Sequence, residues 1–62
     1  MNKYHKKITD YMMKRPRVFV KMSKVRKDLK ASHSDDYHRA MQDLIAGGRL
    51  ECYPDGSIRI NQ

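Results

Sequence analysis

Residues 34–62 constrain the fold most, because a helical pattern there passes directly into a hairpin pattern. Apolar side chains recur over residues 37–45 with the spacing of one stripe on a helix. Gly47 and Gly48 follow, and either of them can supply the left-handed residue that ends a helix. The segment 54–56, Pro-Asp-Gly, is typical of a type I turn with glycine in the left-handed position. The sequence therefore predicts a helix followed at once by a two-stranded hairpin.

Alternation along this hairpin predicts that one of its faces covers a core. Apolar side chains alternate with Glu51 and Tyr53 in the first segment and flank Arg59 in the second. The apolar positions are Leu50, Cys52, Ile58 and Ile60.

The first twenty-two residues have the pattern of a helix followed by a strand. A stripe over residues 4–12 (Tyr4, Ile8, Tyr11 and Met12) predicts a helix, with Asn2 available as its N-cap. Pro16 ends this helix near Lys14 or Arg15, because the residue before a proline is pushed out of the helical region. The segment 17–22, RVFVKM, is rich in β-branched and aromatic side chains and predicts a strand that pairs with the hairpin.

A second and a third helix are predicted between this strand and the hairpin. The second covers about residues 24–30, with Ser23 as its N-cap, and it turns Val25 and Leu29 to one face. The third begins at Ser32 or at Ser34, since both are good caps. With either choice, two aspartates (Asp35 and Asp36) fall near the positive end of the helix dipole.

A length of 62 residues predicts one domain, over residues 1–62, with a small core. A chain this short buries only about 60% of its unfolded surface. We therefore expect marginal stability and a homodimer as one way to add to it, with Met13 and Tyr53 as contact residues. Cys52 is the sole cysteine, so an internal disulfide is excluded and a reducing cytoplasm is expected.

The net charge of +7 is large for this size and favours a polyanionic partner. Residues 1–30 carry eleven Lys or Arg against two Asp, a balance of +9, and residues 31–62 carry three Arg against five acidic residues, a balance of −2. The cations are therefore concentrated on the first two predicted helices. No apolar stretch suits a signal peptide or a membrane span, so we expect no membrane partner.

The predicted order of helix, strand, helix, helix, strand, turn and strand resembles that of winged helix-turn-helix DNA-binding domains. Met41, Leu44, Gly48 and Leu50 have the family's spacing around the end of the third helix. The resemblance covers nearly the whole chain and implies an α+β fold, a three-helix bundle with a C-terminal hairpin wing. It also implies that the third helix enters the major groove of double-stranded DNA, with the second helix and the wing on the backbone.

The exposed face of the third helix supplies the predicted base-reading residues, which are Ser34, His38, Arg39 and Gln42. Arg39 can grip guanine and Gln42 can pair with adenine through two hydrogen bonds each. Alternatively, Arg39 forms an ion pair with an aspartate of its own helix. Asp35 and Asp36 depart from the family pattern: they act as caps, accept from cytosine, or mark a face that binds protein.

Phosphate contacts are predicted for the residues at the start of the second helix and on the wing: Lys21, Lys24, Arg26, Lys27 and Arg59. Lys3, Lys6 and Lys7 are more distant candidates. Five such contacts would give a slope of log K against log salt of about −4.5, at about −0.9 per phosphate.

Catalytic chemistry is not indicated, because the chain has no phosphate-binding glycine loop, no nucleophile elbow and no carboxylates framed for acid–base work. His33 and His38 are five residues apart, a spacing that does not suit a metal site on one helix, and no metal or cofactor is expected.

The sequence thus predicts a small cytoplasmic, nucleoid-associated DNA-binding protein, a sequence-specific regulator or architectural factor whose size suits a mobile element or virus. The competing hypothesis is a module on the same scaffold that binds a basic host protein through the acidic face of the third helix. A third is the binding of RNA or single-stranded DNA through the wing and Tyr53.

Overall fold

The structure is a computed structural model, and it describes residues 2–31 and 34–61. Its elements are α1 (Lys3–Met13), β1 (Val20–Lys21), α2 (Met22–Asp28), α3 (Asp35–Ala46), β2 (Leu50–Cys52) and β3 (Ser57–Ile60). This order confirms the prediction. The described part of the chain is a small α+β domain with three helices and a three-stranded antiparallel sheet. Ser32, one of the two predicted caps, and His33 lie outside the described residues.

Both ends of α1 agree with the sequence prediction. The side chain of Asn2 accepts a hydrogen bond from the backbone N–H of Tyr4 at 2.8 Å, and Nδ1 of His5 accepts one from the N–H of Asn2 at 3.0 Å. This capping box satisfies two N–H groups that a helix start otherwise leaves without partners. The helix ends at Met13, close to the predicted end at Lys14 or Arg15.

The first strand is shorter than predicted, and the prediction for Val18 and Phe19 was wrong. The N–H of Val18 donates to the carbonyl of Arg15 at 3.2 Å, and Arg17 has a φ of 66°. A positive φ at the position after proline is what a type II turn requires. The turn therefore consumes the start of the predicted strand, Val18 and Phe19 are exposed, and pairing begins at Val20.

The prediction that Ser23 caps α2 was also wrong. The helix begins at Met22 directly after β1, with Lys21 as its N-cap residue and no side-chain hydrogen bond at the cap. The N–H of Met22 instead donates to the carbonyl of Gly56 at 2.9 Å. A distant turn thus satisfies this N–H, so α2 begins two residues earlier than predicted and ends at Asp28.

Helices α2 and α3 end in the same way, with a Schellman motif. In α2, the N–H of Ala31 donates to the carbonyl of Arg26 at 3.0 Å and Lys30 has a φ of 55°. In α3, the matching bond from Arg49 to Leu44 measures 2.9 Å and Gly48 has a φ of 82°. Of the two glycines considered, Gly48 is therefore the left-handed residue.

The sheet has the strand order β1-β3-β2, so β3 is central. Val20 lies opposite Ile58 in one pair, and Leu50 opposite Ile60 in the other. The turn before β3 has the predicted hydrogen bond from Gly56 to Tyr53 at 3.0 Å, with a φ of 87° at the glycine. Leu50, Ile58 and Ile60 of the hairpin cover the core, as predicted, but the prediction was wrong for Cys52.

The core lies between this sheet face and the helices. Its buried apolar residues are Tyr4, Ile8, Met12, Val20, Val25, Ala31, Tyr37, Ala40, Met41, Leu50, Ile58 and Ile60. Several predicted core residues lie at its edge and are partly buried: Tyr11, Leu29, Leu44 and Ile45. Cys52 is exposed, because β2 ends there at the edge of the sheet.

Candidate nucleic-acid interface

The side of α3 that faces away from the core has two flanks of different character. On one flank, Oδ2 of Asp43 lies 3.0 Å from Nε2 of His5, and Asn2 donates to the carbonyl of Asp36 at 3.0 Å. This flank faces α1. On the other flank, His38 and Gln42 face α2 across an open groove. Asp43 therefore lies on a different flank of α3 from His38 and Gln42.

We call the open cleft between α2 and α3 the α2–α3 groove, and its volume is about 370 Å³. Its lining residues are Met22, Ser23, Arg26, Tyr37, His38, Met41 and Gln42. Nε2 of Gln42 lies 3.1 Å from Nε2 of His38, on the solvent side. An exposed hydrogen bond of this kind contributes only about 0.5–1.5 kcal/mol, so both side chains can exchange it for another partner.

Tyr37 forms the floor of the α2–α3 groove and fixes α3 against α2. Its hydroxyl donates to the carbonyl of Met22 at 3.2 Å, and its ring meets that of Tyr4 edge to face at 5.9 Å. Burial raises the pKa of Tyr37 to about 12, although the nearby positive charge of Arg26 opposes the shift. The phenol therefore stays a neutral donor at ordinary pH.

Two predicted base-reading residues lie outside the α2–α3 groove. Arg39 is exposed, and among residues 2–31 and 34–61 it forms no ion pair with Asp35, Asp36 or Asp43. Ser34 is the N-cap of α3, and its hydroxyl oxygen accepts from the N–H of Tyr37 at 3.2 Å. The structure therefore brings together His38 and Gln42, but neither Ser34 nor Arg39 with them.

The aspartates at the start of α3 are not its caps, because Ser34 makes the capping hydrogen bond. Both carboxylates are exposed in the first turn, and no hydrogen bond or ion pair joins them to any residue that the structure describes. Their favourable interaction with the helix dipole remains.

Four of the five predicted phosphate ligands line one cleft, the α2 groove, with a volume of about 770 Å³. Its residues are Lys21, Ser23, Lys24, Arg26, Lys27, Asp28 and Lys30. Two of its lysines have acidic partners: Nζ of Lys21 lies 3.5 Å from Asp55, and Nζ of Lys24 lies 3.4 Å from Asp28. Exposed pairs of this kind contribute about 0–1 kcal/mol, so a phosphate can replace either acid. Arg26 and Lys27 have no ion-pair partner within the described ranges.

Arg59, the fifth predicted phosphate ligand, lies on another surface. It projects from the outer face of the sheet, where Nη2 donates to Glu51 at 3.1 Å and the guanidinium lies 5.2 Å from the ring of Phe19. Phe19 also meets Tyr53 edge to face at 5.0 Å. Hydrogen bonds from Tyr53 and Arg59 lower the pKa of Glu51, so this carboxylate stays charged beside the arginine.

Arg15, at the end of α1, is a basic residue that the sequence analysis did not single out. Its guanidinium lies 3.9 Å from the centre of the Tyr11 ring, and Nη1 donates to the carbonyl of Tyr11 at 2.9 Å. The hydroxyl of Tyr11 donates to Asp28 at 2.5 Å, which lowers the pKa of that carboxyl. These contacts surround a third cleft, the α1–α2 groove, lined by Lys7, Asp10, Tyr11, Lys14, Arg15, Asp28, Leu29 and Lys30. The signal in the sequence was the spacing of Tyr11 and Arg15 by one helical turn.

His5 was likewise missed as a structural residue. It is buried, and its Nδ1 accepts from Asn2 while its Nε2 binds Asp43. Asp43 is thirty-eight residues away in the chain, so no local pattern predicts the contact. Lys3 and Lys7, two of the more distant phosphate candidates, instead have their ammonium groups 5.3 and 5.7 Å from the Tyr4 ring.

No group of three His, Cys, Asp or Glu side chains suited to a metal ion occurs within the described residues. None of the helices in residues 2–31 and 34–61 combines the length and apolar character that a membrane crossing needs. Comparisons with protein-family models, with curated proteins and with solved structures found no match to this chain.

Proposed function

We propose that this chain is a winged-helix domain that binds double-stranded DNA, with α3 in the major groove. The observation that carries the proposal is the α2–α3 groove, where a cation of α2, Arg26, lines the same open cleft as His38 and Gln42 of α3. A helix with exposed hydrogen-bonding side chains beside an arginine combines base reading with a phosphate contact. The order of the elements and the β1-β3-β2 sheet are compatible with this assignment.

The α2 groove continues this surface and supplies the remaining positive charge. Ser23 and Arg26 line both grooves, so the cations of α2 begin where the polar flank of α3 ends. In this proposal Lys21, Lys24 and Lys27 bind the phosphates on either side of the bases that α3 reads. Their contacts set the position of the protein on DNA and carry no sequence information.

The wing has a more limited part than the family resemblance implied. Lys21 donates to the carbonyl of Asp55 at 2.7 Å and Met22 to that of Gly56, so the turn is held against the start of α2. Arg59 is engaged with Glu51 on the outer face of the sheet. We therefore propose that the wing contacts DNA through its tip and that Arg59 is not one of the main phosphate ligands.

Salt dependence on a short duplex tests the proposal. Four phosphate contacts from Lys21, Lys24, Arg26 and Lys27 predict a slope of log K against log salt of about −3.6, at about −0.9 per contact. Fluorescence anisotropy with duplex DNA, single-stranded DNA and RNA measures the slope and the preference. A slope near zero contradicts the proposal. Tighter binding of single strands favours instead the exposed ring of Phe19 and the half-buried ring of Tyr53, which suit base stacking.

Selection from random duplexes separates base reading from simple attraction. Gln42→Ala should relax the preference at the position that this residue reads, by about 1–3 kcal/mol for a bidentate contact. Lys27→Gln is the matched control, since losing a phosphate contact weakens binding to all sequences alike. If no preference emerges from the selection, the protein is an architectural factor and not a sequence-specific regulator.

Binding of a basic protein partner is the second candidate, because Asp35 and Asp36 are exposed at the start of α3 and form no ion pair with the described residues. The double variant Asp35→Asn, Asp36→Asn distinguishes the two functions. Under the DNA proposal it binds duplex DNA more tightly, since two negative charges near the phosphates are removed. Unchanged DNA affinity together with loss of binding to a basic peptide favours the protein-binding function.

A further inference from the structure

We infer that the α1–α2 groove is a second phosphate-binding surface, and that a duplex held at α3 curves around α2 to reach it. This inference rests on the proposed function. The ligand is the sugar–phosphate backbone of the same duplex, beyond the part that α3 reads. Arg15 is the central residue, with Lys14 and Lys30 beside it.

Arg15 is held ready for an anion before any ligand arrives. Its guanidinium is stacked on Tyr11 at 3.9 Å, and the hydrogen bond to the Tyr11 carbonyl uses one of its five N–H donors. The guanidinium makes no other hydrogen bond or ion pair with the residues that the structure describes. A stacked arginine loses little freedom when it binds a phosphate through its remaining donors.

Tyr11 is in turn fixed from the side of α2. Its hydroxyl donates to Oδ2 of Asp28 at 2.5 Å, and Lys24 lies 3.4 Å from the same oxygen. A chain of contacts thus runs from Lys24 through Asp28 and Tyr11 to Arg15. In the free protein, Lys24 and the Tyr11 hydroxyl partly offset the negative charge of Asp28, which also lines this groove, so this carboxylate opposes a phosphate less.

Lys30 adds an ammonium group to this groove from a disfavoured backbone conformation. Lys30 has a φ of 55° at the end of α2, where α3 has Gly48 in the equivalent position. A residue with a side chain is disfavoured there and glycine is not. The chain nevertheless presents an ammonium group at this point, between the α2 groove and the α1–α2 groove, both of which Lys30 lines.

The three grooves form one continuous band around α2. Asp28 and Lys30 line both the α1–α2 groove and the α2 groove, while Ser23 and Arg26 line both the α2 groove and the α2–α3 groove. The α2–α3 groove and the α1–α2 groove thus lie on different sides of α2. DNA that touches both has to bend, and the added phosphate contacts offset the cost of bending.

The length of the duplex separates the two surfaces in a binding experiment. A duplex of roughly 8 base pairs is about as long as the molecule is wide, whereas roughly 25 base pairs reach well beyond it, at 3.4 Å per pair. On the long duplex, Arg15→Gln should flatten the slope of log K against log salt by about 0.9 and weaken binding at physiological salt. On the short duplex it should change both quantities much less, because few phosphates extend beyond the part that α3 reads.

Matched variants distinguish the positioned guanidinium from positive charge in general. Arg49→Gln removes the same charge from an exposed residue outside all three grooves and should leave the long-duplex slope unchanged. Arg15→Lys should keep the slope but bind several-fold more weakly, because an ammonium cannot form the planar fork. Tyr11→Leu should also weaken long-duplex binding and Tyr11→Phe much less, since only the leucine variant lacks the ring.

Dyes at the two ends of the long duplex report the curvature directly. Wild-type protein should raise the energy transfer between them, and the triple variant Lys14→Gln, Arg15→Gln, Lys30→Gln should not.

If Arg15→Gln and Arg49→Gln behave alike on the long duplex, the inference is wrong. It is also overturned if two separately labelled duplexes are held together by one protein molecule, since the groove then binds a second duplex. Failure of wild-type protein to bind any duplex defeats the proposed function itself.

Discussion

Lys30 and Gly48 occupy the same backbone position at the ends of two helices, with φ of 55° and 82°. The left-handed conformation costs a residue with a Cβ atom about 1–2 kcal/mol, and glycine avoids this cost. The same pair of closing hydrogen bonds is present at the ends of both helices.

Replacement of Lys30 by glycine should therefore stabilise the protein, by about 0.5–1 kcal/mol after the added chain entropy is subtracted. Gly48→Ala should destabilise it by about 1 kcal/mol, although open space surrounds the added methyl group. Urea denaturation measures both changes. Lys30→Ala is the control, because it removes the charge and keeps the Cβ atom. If Lys30→Gly is no more stable than Lys30→Ala, the backbone argument fails.

Asp55 shows how a single carboxylate holds a turn. Its two oxygens accept from the backbone N–H of Ser57 at 2.9 Å and from the Ser57 hydroxyl at 3.1 Å. These bonds, the first above all, lower the pKa of Asp55 below its ordinary value. A carboxyl with a depressed pKa in the folded state stabilises the fold above the unfolded pKa of about 3.9, and this stability is lost as the pH falls through the folded pKa.

Asp55→Asn should consequently lower the free energy of unfolding at pH 7 and make it less dependent on pH below about 4. Denaturation at a series of pH values compares the variant with the wild type. Asp35→Asn serves as the control, because the described residues give its carboxylate no partner. Equal acid sensitivity of wild type and Asp55→Asn would contradict the role of these bonds.

At the scale of elements, the sequence predicts helices better than it predicts their connections. The stripes and caps of α1 and α3 are local, so the neighbouring residues alone identified Asn2 as an N-cap and Ser34 as one of two candidate caps. The start of α2 depends on Gly56, which lies far along the chain and cannot be read from the residues around Met22. The length of β1 was overestimated because Arg17 adopts a conformation that its residue type disfavours.

The candidate site was predictable only in part for the same reason. Helical periodicity predicts which residues of α2 and α3 are exposed, but the groove between two helices depends on how the helices cross. Arg59 is held apart from the other cations by two contacts on the outer face of the sheet. Its guanidinium binds Glu51, the residue opposite it in the β2–β3 pair, and lies near the ring of Phe19. The stacking of Arg15 on Tyr11 is a local contact, but counting charges along the chain does not distinguish Arg15 from the other cations.

The hydroxyl of Tyr37 joins α3 to the start of α2 and should respond to alkali. Loss of its bond to Met22 in Tyr37→Phe should cost about 0.5–1.5 kcal/mol at pH 8. The pKa of Tyr37 is raised by burial to about 12, so the stability it provides is complete below pH 10 and is lost as the pH rises from 10 to 12.

Thermal denaturation of wild type and Tyr37→Phe at several pH values tests this link between the helices. The wild type should lose more stability than the variant over that alkaline range, so the difference between them should shrink. Tyr53→Phe is a comparison on the exposed sheet face, where the phenol binds Glu51 and not a buried carbonyl. If the difference for Tyr37→Phe stays constant up to pH 12, its hydroxyl does not titrate in the folded protein as stated.

For the molecule as a whole, the net charge of +7 is confined to a body of 25 × 22 × 20 Å. The Debye length is about 30 Å at 0.01 M salt, which exceeds every dimension of the molecule, and about 8 Å at 0.15 M. At low salt each cation therefore repels the others across the whole protein. The same repulsion is what a bound polyanion relieves, so free protein and complex should respond to salt in opposite directions.

We expect the melting temperature of the free protein to rise as sodium chloride is raised from about 0.01 to about 0.15 M, while its affinity for duplex DNA falls. The three ion pairs that Lys or Arg form among the described residues work against this rise, but they join exposed or partly exposed side chains and contribute little. Sodium sulfate at equal ionic strength is the informative comparison. Equal stabilisation by the two salts indicates screening, whereas a larger effect of sulfate that Arg15→Gln removes indicates an anion bound at that arginine. A melting temperature that falls with added chloride would mean that the pairs outweigh the net repulsion, and the charge of the molecule would then not oppose its folding.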